Sequence, residues 1–278
     1  MPFIAIIGAG PIGSALAHKL AGRSRVREVR MIDPEGTIAR GKALDILQSG
    51  PVENFSAAVT SAESLLAAAG AEVVAIADPA SGQGEHSGEA GLALVRQLRN
   101  AGIRPPLVFA GATQREVMTR AISELHVPPS LVLGTAPLAL ESALRAVCGV
   151  IADRSPVEIS LAVVGVPPKH TVVAWQEAAI GGQPLTSVLG PHEIASITAR
   201  IPGLWPPGPY ALGSAAARVV EALCDGSRRR FSCFVDAGRG RIAAMPVELE
   251  RGGVKRVIQP ALTRLEQTAL ENAMSDRG

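Results

Sequence analysis

Phe3-Ile4-Ala5-Ile6-Ile7 runs directly into Gly8-Ala9-Gly10-Pro11-Ile12-Gly13, and this junction decides the fold. An apolar strand empties into a GxGxxG turn, and a helix opens at Gly13-Ser14 and continues to Ala21. Asp33 follows 20 residues after Gly13, at the end of the second apolar run Val29-Arg30-Met31-Ile32. A GxGxxG alone is weak, but strand, helix and acid at these spacings form a dinucleotide-binding fingerprint. Gly8 permits the tight turn, Gly10 lets a pyrophosphate approach the backbone, and Gly13 allows helix and strand to pack closely. Free N–H groups at the helix start, those of Ile12 and Gly13 beside Pro11, face the phosphates with the positive dipole end. Asp33 suits a ribose diol and repels a 2′-phosphate, which favours NAD over NADP.

Working outward, strands and helices alternate. Strands are predicted at 3–7, 28–33, 72–77, 106–110 and 131–134, and helices at 13–21, 39–47, 61–69, 88–101 and 113–124. Alternation of this kind predicts a doubly wound parallel sheet covered on both faces. Val73-Val74-Ala75-Ile76-Ala77 and Leu107-Val108-Phe109-Ala110 are continuously apolar, as strands buried on both faces are. The texture then changes: a helix over Leu138 to Ile151, strands at 157–164 and from Val172, a turn at Gly181-Gly182, helices from 191 and over 212–223, two or three strands within 231–258 and a closing helix over 263–274. The expected division is a Rossmann domain at 1–137 and an α+β domain at 138–278.

Composition narrows the function classes. The chain is 47% hydrophobic, which supplies a core, but only 3% aromatic, which argues against base stacking as a main activity. Lys+Arg 27 against Asp+Glu 25 is too balanced to point to nucleic acid or an anionic membrane. No apolar run approaches the ~18 residues of a membrane helix. Cys148, Cys224 and Cys233 are scattered and show no metal-ligand spacing, which fits a reducing compartment and no metal site. With a strand at the very start there is no room for a signal peptide, and a cytoplasmic location is expected.

Several longer stretches resemble the lactate/malate dehydrogenases: Gly41-Lys42-Ala43-Leu44-Asp45-Ile46, Glu116-Val117-Met118-Thr119, Ile180-Gly181-Gly182-Gln183-Pro184-Leu185, and the C-terminal pattern of Tyr210-Ala211, Val219 to Leu223 and Pro246 to Leu249. The resemblance spans almost the whole chain. It implies NAD as cofactor, Ala77 beside it, hydride transfer to or from a 2-hydroxy or 2-keto acid, and a homodimer or homotetramer whose contacts run partly through the helix containing Gly41 to Ile46.

The same resemblance locates a catalytic machinery that these residues do not supply. Hydride transfer to a 2-keto acid needs a proton donor, an acid that orients it, and arginines for the substrate carboxylate. The family's His, in a Gly-x-His-Gly-Asp stretch, falls on Pro167 of Gly165-Val166-Pro167-Pro168-Lys169. Its Leu-Asp-x-x-Arg motif puts the acid on Leu140 and the arginine on Ala143, while Arg145 matches a second, structural arginine. Glu141 is one position from the acid, but one step turns a helical side chain by about 100°. In the loop Asp78 to Glu89 the two expected arginines fall on Gly82 and Gly88, and the loop is acidic. The family's Asn falls near Thr113.

Substitute groups are few. His170, three residues past Pro167, is a weak candidate acid and otherwise caps a strand end. His86 reads as a solvent-exposed loop side chain, Lys169 as an exposed lysine or a new base, and Glu85 and Glu141 as acids for a different substrate. Two readings stand: an oxidoreductase of this family with malate and lactate turnover in doubt, or a non-catalytic NAD(H)-binding regulatory or structural protein.

Overall fold

A computed structural model describes residues 3–82, 84–238 and 240–275. The first half runs β1 (Ile4–Ile7), α1 (Pro11–Ala21), β2 (Glu28–Ile32), α2 (Gly36–Glu53), β3 (Ala58–Ala62), β4 (Val73–Ile76), α3 (Gly88–Asn100), β5 (Leu107–Phe109), α4 (Arg115–Ser123) and β6 (Val132–Gly134). These strands lie parallel in the order β3-β2-β1-β4-β5-β6. Every residue of β1 and β4 is buried, as their unbroken apolar runs require.

After α5 (Ala136–Ala152) come the short strands β7 (Ile159–Ser160), β8 (Val163–Val166), β9 (His170–Val173), β10 (Ala179–Ile180) and β11 (Gln183–Pro184). The helices α6 (Pro191–Arg200) and α7 (Pro209–Asp225) lead to the meander β12 (Arg230–Asp236), β13 (Ile242–Glu250) and β14 (Gly253–Val257), and α8 (Arg264–Ser275) closes the described chain. β12 pairs antiparallel with β6 through Phe234 and Gly134, so one 11-stranded sheet continues from the parallel half into the second half. β11-β10-β7 form a separate three-stranded sheet.

Two apolar cores result. The larger one fills both faces of the parallel sheet. The smaller one gathers Leu140, Leu144, Ile159, Val163, Ile180, Leu185 and Ile197. Helix α5 feeds both, with Ala136 and Ala139 in the first and Leu140 and Leu144 in the second. The expected boundary at 137/138 therefore falls inside one continuous helix. α1 and α7 cross closely because Gly213 has no side chain: a Cβ there would lie 2.8 Å from the Ala15 Cβ and the Leu16 nitrogen.

One expected element is absent. Residues 61–69 do not form a helix. Ala58–Ala62 pairs in parallel with β2, and only a single 3-10 turn, Leu65–Ala68, follows, with the Ser64 hydroxyl accepting from Leu66 N at 3.3 Å. The Leu-Leu-Ala-Ala-Ala run has helical composition, but too little chain remains before β4 for a longer helix. Tertiary strand pairing overrides the local preference.

Candidate functional site: a crevice filled by its own loop

The strand order reverses at β1, with β2 on one side and β4 on the other, and crevices of α/β sheets form at such points. The expected residues assemble there. Gly8 has φ +102°, and Gly13 lies so close to the preceding strand that a Cβ would meet Gly8 O at 2.1 Å. Pro11 and Ile12 open α1, and Ala77 continues β4, its N–H donating to Ile7 O at 2.8 Å.

The helix start is not free, which corrects the expectation of open N–H groups. Ile12 N and Gly13 N donate to the Asp78 carboxylate at 3.2 and 2.9 Å. Gly10 N donates to Asp78 O at 2.8 Å, and a Cβ on Gly10 would lie 2.4 Å from Asp78 Cγ. The bare backbone of Gly10 makes room for a carboxylate of the same chain. Asp33 is likewise engaged and only 1% exposed: Oδ2 accepts from Ala9 N at 2.8 Å and Ala80 N at 2.7 Å, and Oδ1 from Glu35 N at 2.9 Å. Asp78 acts as a cap supplied from another strand, and an anion at a helix start stabilises it. Asp78→Ala is therefore expected to lower stability by ~1 kcal/mol, read as a downward shift of the thermal midpoint.

A second acid of the same loop repeats the arrangement across the crevice. Glu85 accepts from Ala112 N, Thr113 N and Thr113 Oγ1, each at 2.7 Å. A Cβ on Gly111 would lie 2.2 Å from Glu85 Cδ. Gln114, 1% exposed, ties the turn down: its Oε1 accepts from Gly111 N at 2.8 Å and its Nε2 donates to His86 O at 3.2 Å. His86 is half-buried, less exposed than expected. Desolvation lowers its pKa, against the opposing pull of Asp33 and Asp78.

The neighbouring chamber is different. Leu140, on which the family's acid falls, is fully buried in the second core, and Pro167 is buried at the end of β8. A cavity of about 230 Å³ next to it is lined by Pro167, Pro168, Lys169, His170 and Arg115. Arg115 was not foreseen. It sits at the first position of α4, and its guanidinium donates to Ile242 O at 3.4 Å. Glu141 points elsewhere: it bonds Ser232 of β12 and borders another cavity, of about 470 Å³, with Arg145, Arg218, Arg229 and Arg230. Burial raises its pKa to about 7. The structure therefore separates Glu141 from His170, and Glu85 from both. Among the described residues no group of acids, histidines and cysteines is arranged to hold a metal ion, and no helix is long and apolar enough to cross a membrane.

The lactate/malate dehydrogenase NAD binding domain matches residues 3–107. The malate dehydrogenase of Thermomicrobium roseum is 27% identical over 294 aligned positions, covering 97% of this chain and 94% of that protein. The chain is thus similar over almost its whole length to the lactate/malate dehydrogenases. L-lactate dehydrogenase A of Rhizopus oryzae is 26% identical, covering 96% of this chain and 88% of that protein. The crystal structure of minor L-lactate dehydrogenase from Enterococcus mundtii has the same fold, with a TM-score of 0.86 at 17% identity over 99% of this chain and 95% of the other.

Residues 3–107 thus match an NAD binding domain. The glycines of the turn and the acid after β2 fit that cofactor in type and place. The pyrophosphate seat as it stands does not: its N–H groups and the space over Gly10 are taken by Asp78.

Proposed function

We propose that this lactate/malate dehydrogenase relative binds NAD or NADH through Gly8, Gly10, Pro11, Ile12, Gly13, Asp33 and Ala77, and does not turn over malate or lactate. The carrying observation is the pair of buried apolar residues, Leu140 and Pro167, where the family's orienting acid and proton donor fall. A proline has no proton to give, and a leucine in the second core orients nothing. The protein then acts as a dinucleotide-responsive regulatory or structural component. It assembles as a homodimer or homotetramer in the cytoplasm, a reading supported by Leu44, Leu47 and Val52 exposed along α2 and by three unpaired cysteines.

A second reading is favoured by the small cavity with Arg115, Lys169 and His170: an oxidoreductase acting on a different small anion, with His170 as its acid. One set of measurements decides between them. NAD and NADH are titrated by calorimetry, and NADH oxidation is followed with oxaloacetate, pyruvate and a panel of other 2-keto acids. The expected result is dinucleotide binding with no oxaloacetate- or pyruvate-dependent rate above the enzyme-free blank. Turnover of another keto acid, abolished by His170→Ala, selects the second reading. Rates of an ordinary dehydrogenase with malate or lactate overturn the first.

A further inference from the structure

We infer that residues 78–82 and 84–88 are an internal ligand of the dinucleotide crevice, competing with the cofactor by seating two carboxylates in its two backbone N–H cradles. The inference rests on the NAD(H)-binding reading above. Asp78 fills the cradle of Ile12 and Gly13, and Glu85 fills that of Ala112 and Thr113. Each carboxylate stands where a glycine, Gly10 or Gly111, leaves room that any side chain would close. Between them the segment is tied by Ala80 N to Asp33 at 2.7 Å and by Ser81 Oγ to Glu35 at 3.1 Å. Beyond them, His86 O accepts from Gln114. The ties therefore reach the turn after β1, the turn after β2 and the turn after β5, the three loops that surround the crevice.

The consequence for an incoming dinucleotide is electrostatic as well as steric. A pyrophosphate carries negative charge and seeks the same N–H groups that Asp78 holds. Both cannot occupy the helix start, because two anions there repel each other at close range. Binding therefore requires the segment to leave. Positive-φ glycines at Gly82, Gly84 and Gly88 give it turning points that do not penalise the change. When a competent state is only a fraction of the population, the apparent affinity falls by that fraction. The segment thus sets how much NAD or NADH is needed before the protein responds, and it couples cofactor binding to release of an acidic, histidine-bearing loop at the surface.

The test uses the full-length protein. NADH is titrated calorimetrically into wild type, Asp78→Ala, Asp78→Asn and Glu85→Gln, each checked for native circular dichroism. Asp78→Asn keeps the size and one acceptor oxygen while removing the charge, and serves if the alanine variant does not fold. We expect each neutralised variant to bind NADH about tenfold or more tightly than wild type, since the competent fraction rises. Hydrogen exchange on wild type saturated with NADH is expected to show faster exchange at Ala80 and through 84–88. Equal affinity of wild type and folded variants, with unchanged exchange in the segment, overturns the inference and leaves the NAD(H)-binding reading standing. Tighter binding accompanied by ordinary lactate or malate turnover overturns the lack of turnover proposed above and leaves both NAD(H) binding and the inference. No binding of NADH by any of the four proteins overturns both.

Discussion

Gly13→Ala is expected to destabilise the protein by more than about 3 kcal/mol. A methyl group at this position would meet Gly8 O at 2.1 Å and Gly8 C at 3.0 Å, with the Ala77 Cβ at 3.5 Å behind them. Both partners at the short distances are backbone. They cannot rotate away as a flexible side chain does, so α1 must lift from β1 or the turn must open. Either movement separates Leu16 and Leu20, both fully buried, from the strands on which they pack. The measurement is chemical denaturation of the variant against wild type, with Gly41→Ala as the control. Gly41 lies on exposed α2 with nothing within 4 Å of its Cβ position, so alanine there is expected to be neutral or stabilising, by up to ~1 kcal/mol from its better helix propensity. Equal midpoints for the two variants would show that close approach at the turn is not limiting.

The contrast between those two glycines marks what the sequence makes legible. The spacing of Gly8, Gly10 and Gly13, with Asp33 beyond, identifies a turn in which each missing side chain has a steric reason, and the structure supplies those reasons. The sheet was legible too, because fully buried parallel strands read as unbroken apolar runs such as Val73 to Ala77. The occupancy of the crevice was not. Asp78 sits two residues past the end of β4, and nothing in its local sequence tells whether its carboxylate faces solvent or the start of α1. That depends on β4 lying next to β1, a contact between residues 65 and 66 positions apart. Glu85 reaches Thr113 across 28 positions for the same kind of reason. His86 was misjudged with them: a loop rich in Gly, Ser and acids reads as solvated, whereas here its carboxylates accept from backbone N–H groups of two other turns and its own donors reach the acids Asp33 and Glu35 of a third. A clue was available in the excess of acids over the expected arginines in that loop. An acidic segment following a strand beside a glycine-rich turn can supply its own anion.

Raising the pH from 4.5 to 8 is expected to weaken the wild-type fold through Glu141, and Glu141→Gln is expected to remove that dependence. The side chain is 8% exposed, and burial is the largest influence on it, raising its pKa from 4.5 to about 7. The hydroxyl and backbone N–H of Ser232 and the Arg145 charge oppose the rise without cancelling it. The sign follows from where the proton resides. Between pH 4.5 and about 7 the folded protein holds a proton that the unfolded chain has released, so the contribution is complete below the unfolded pKa and is lost as pH rises through the folded one. At 1.36 kcal/mol per unit, a shift of this size corresponds to a change of order ~3 kcal/mol in stability across the window. Glutamine retains the volume and an acceptor for Ser232 and carries no charge at any pH in the range. The variant should therefore match wild type near pH 4.5 and exceed it by ~1–3 kcal/mol at pH 8, in line with the cost of burying an unpaired charge. Urea denaturation at pH 4.5, 6 and 8 reads the difference directly, and taking wild type minus variant removes the contribution of every other titrating group. Parallel stability curves across that range would mean that the carboxylate stays ionised in the fold. The guanidinium groups of Arg145, Arg218, Arg229 and Arg230 around the adjoining cavity would then be compensating it more strongly than their separation along α5, α7, β12 and the turn before β12 suggests.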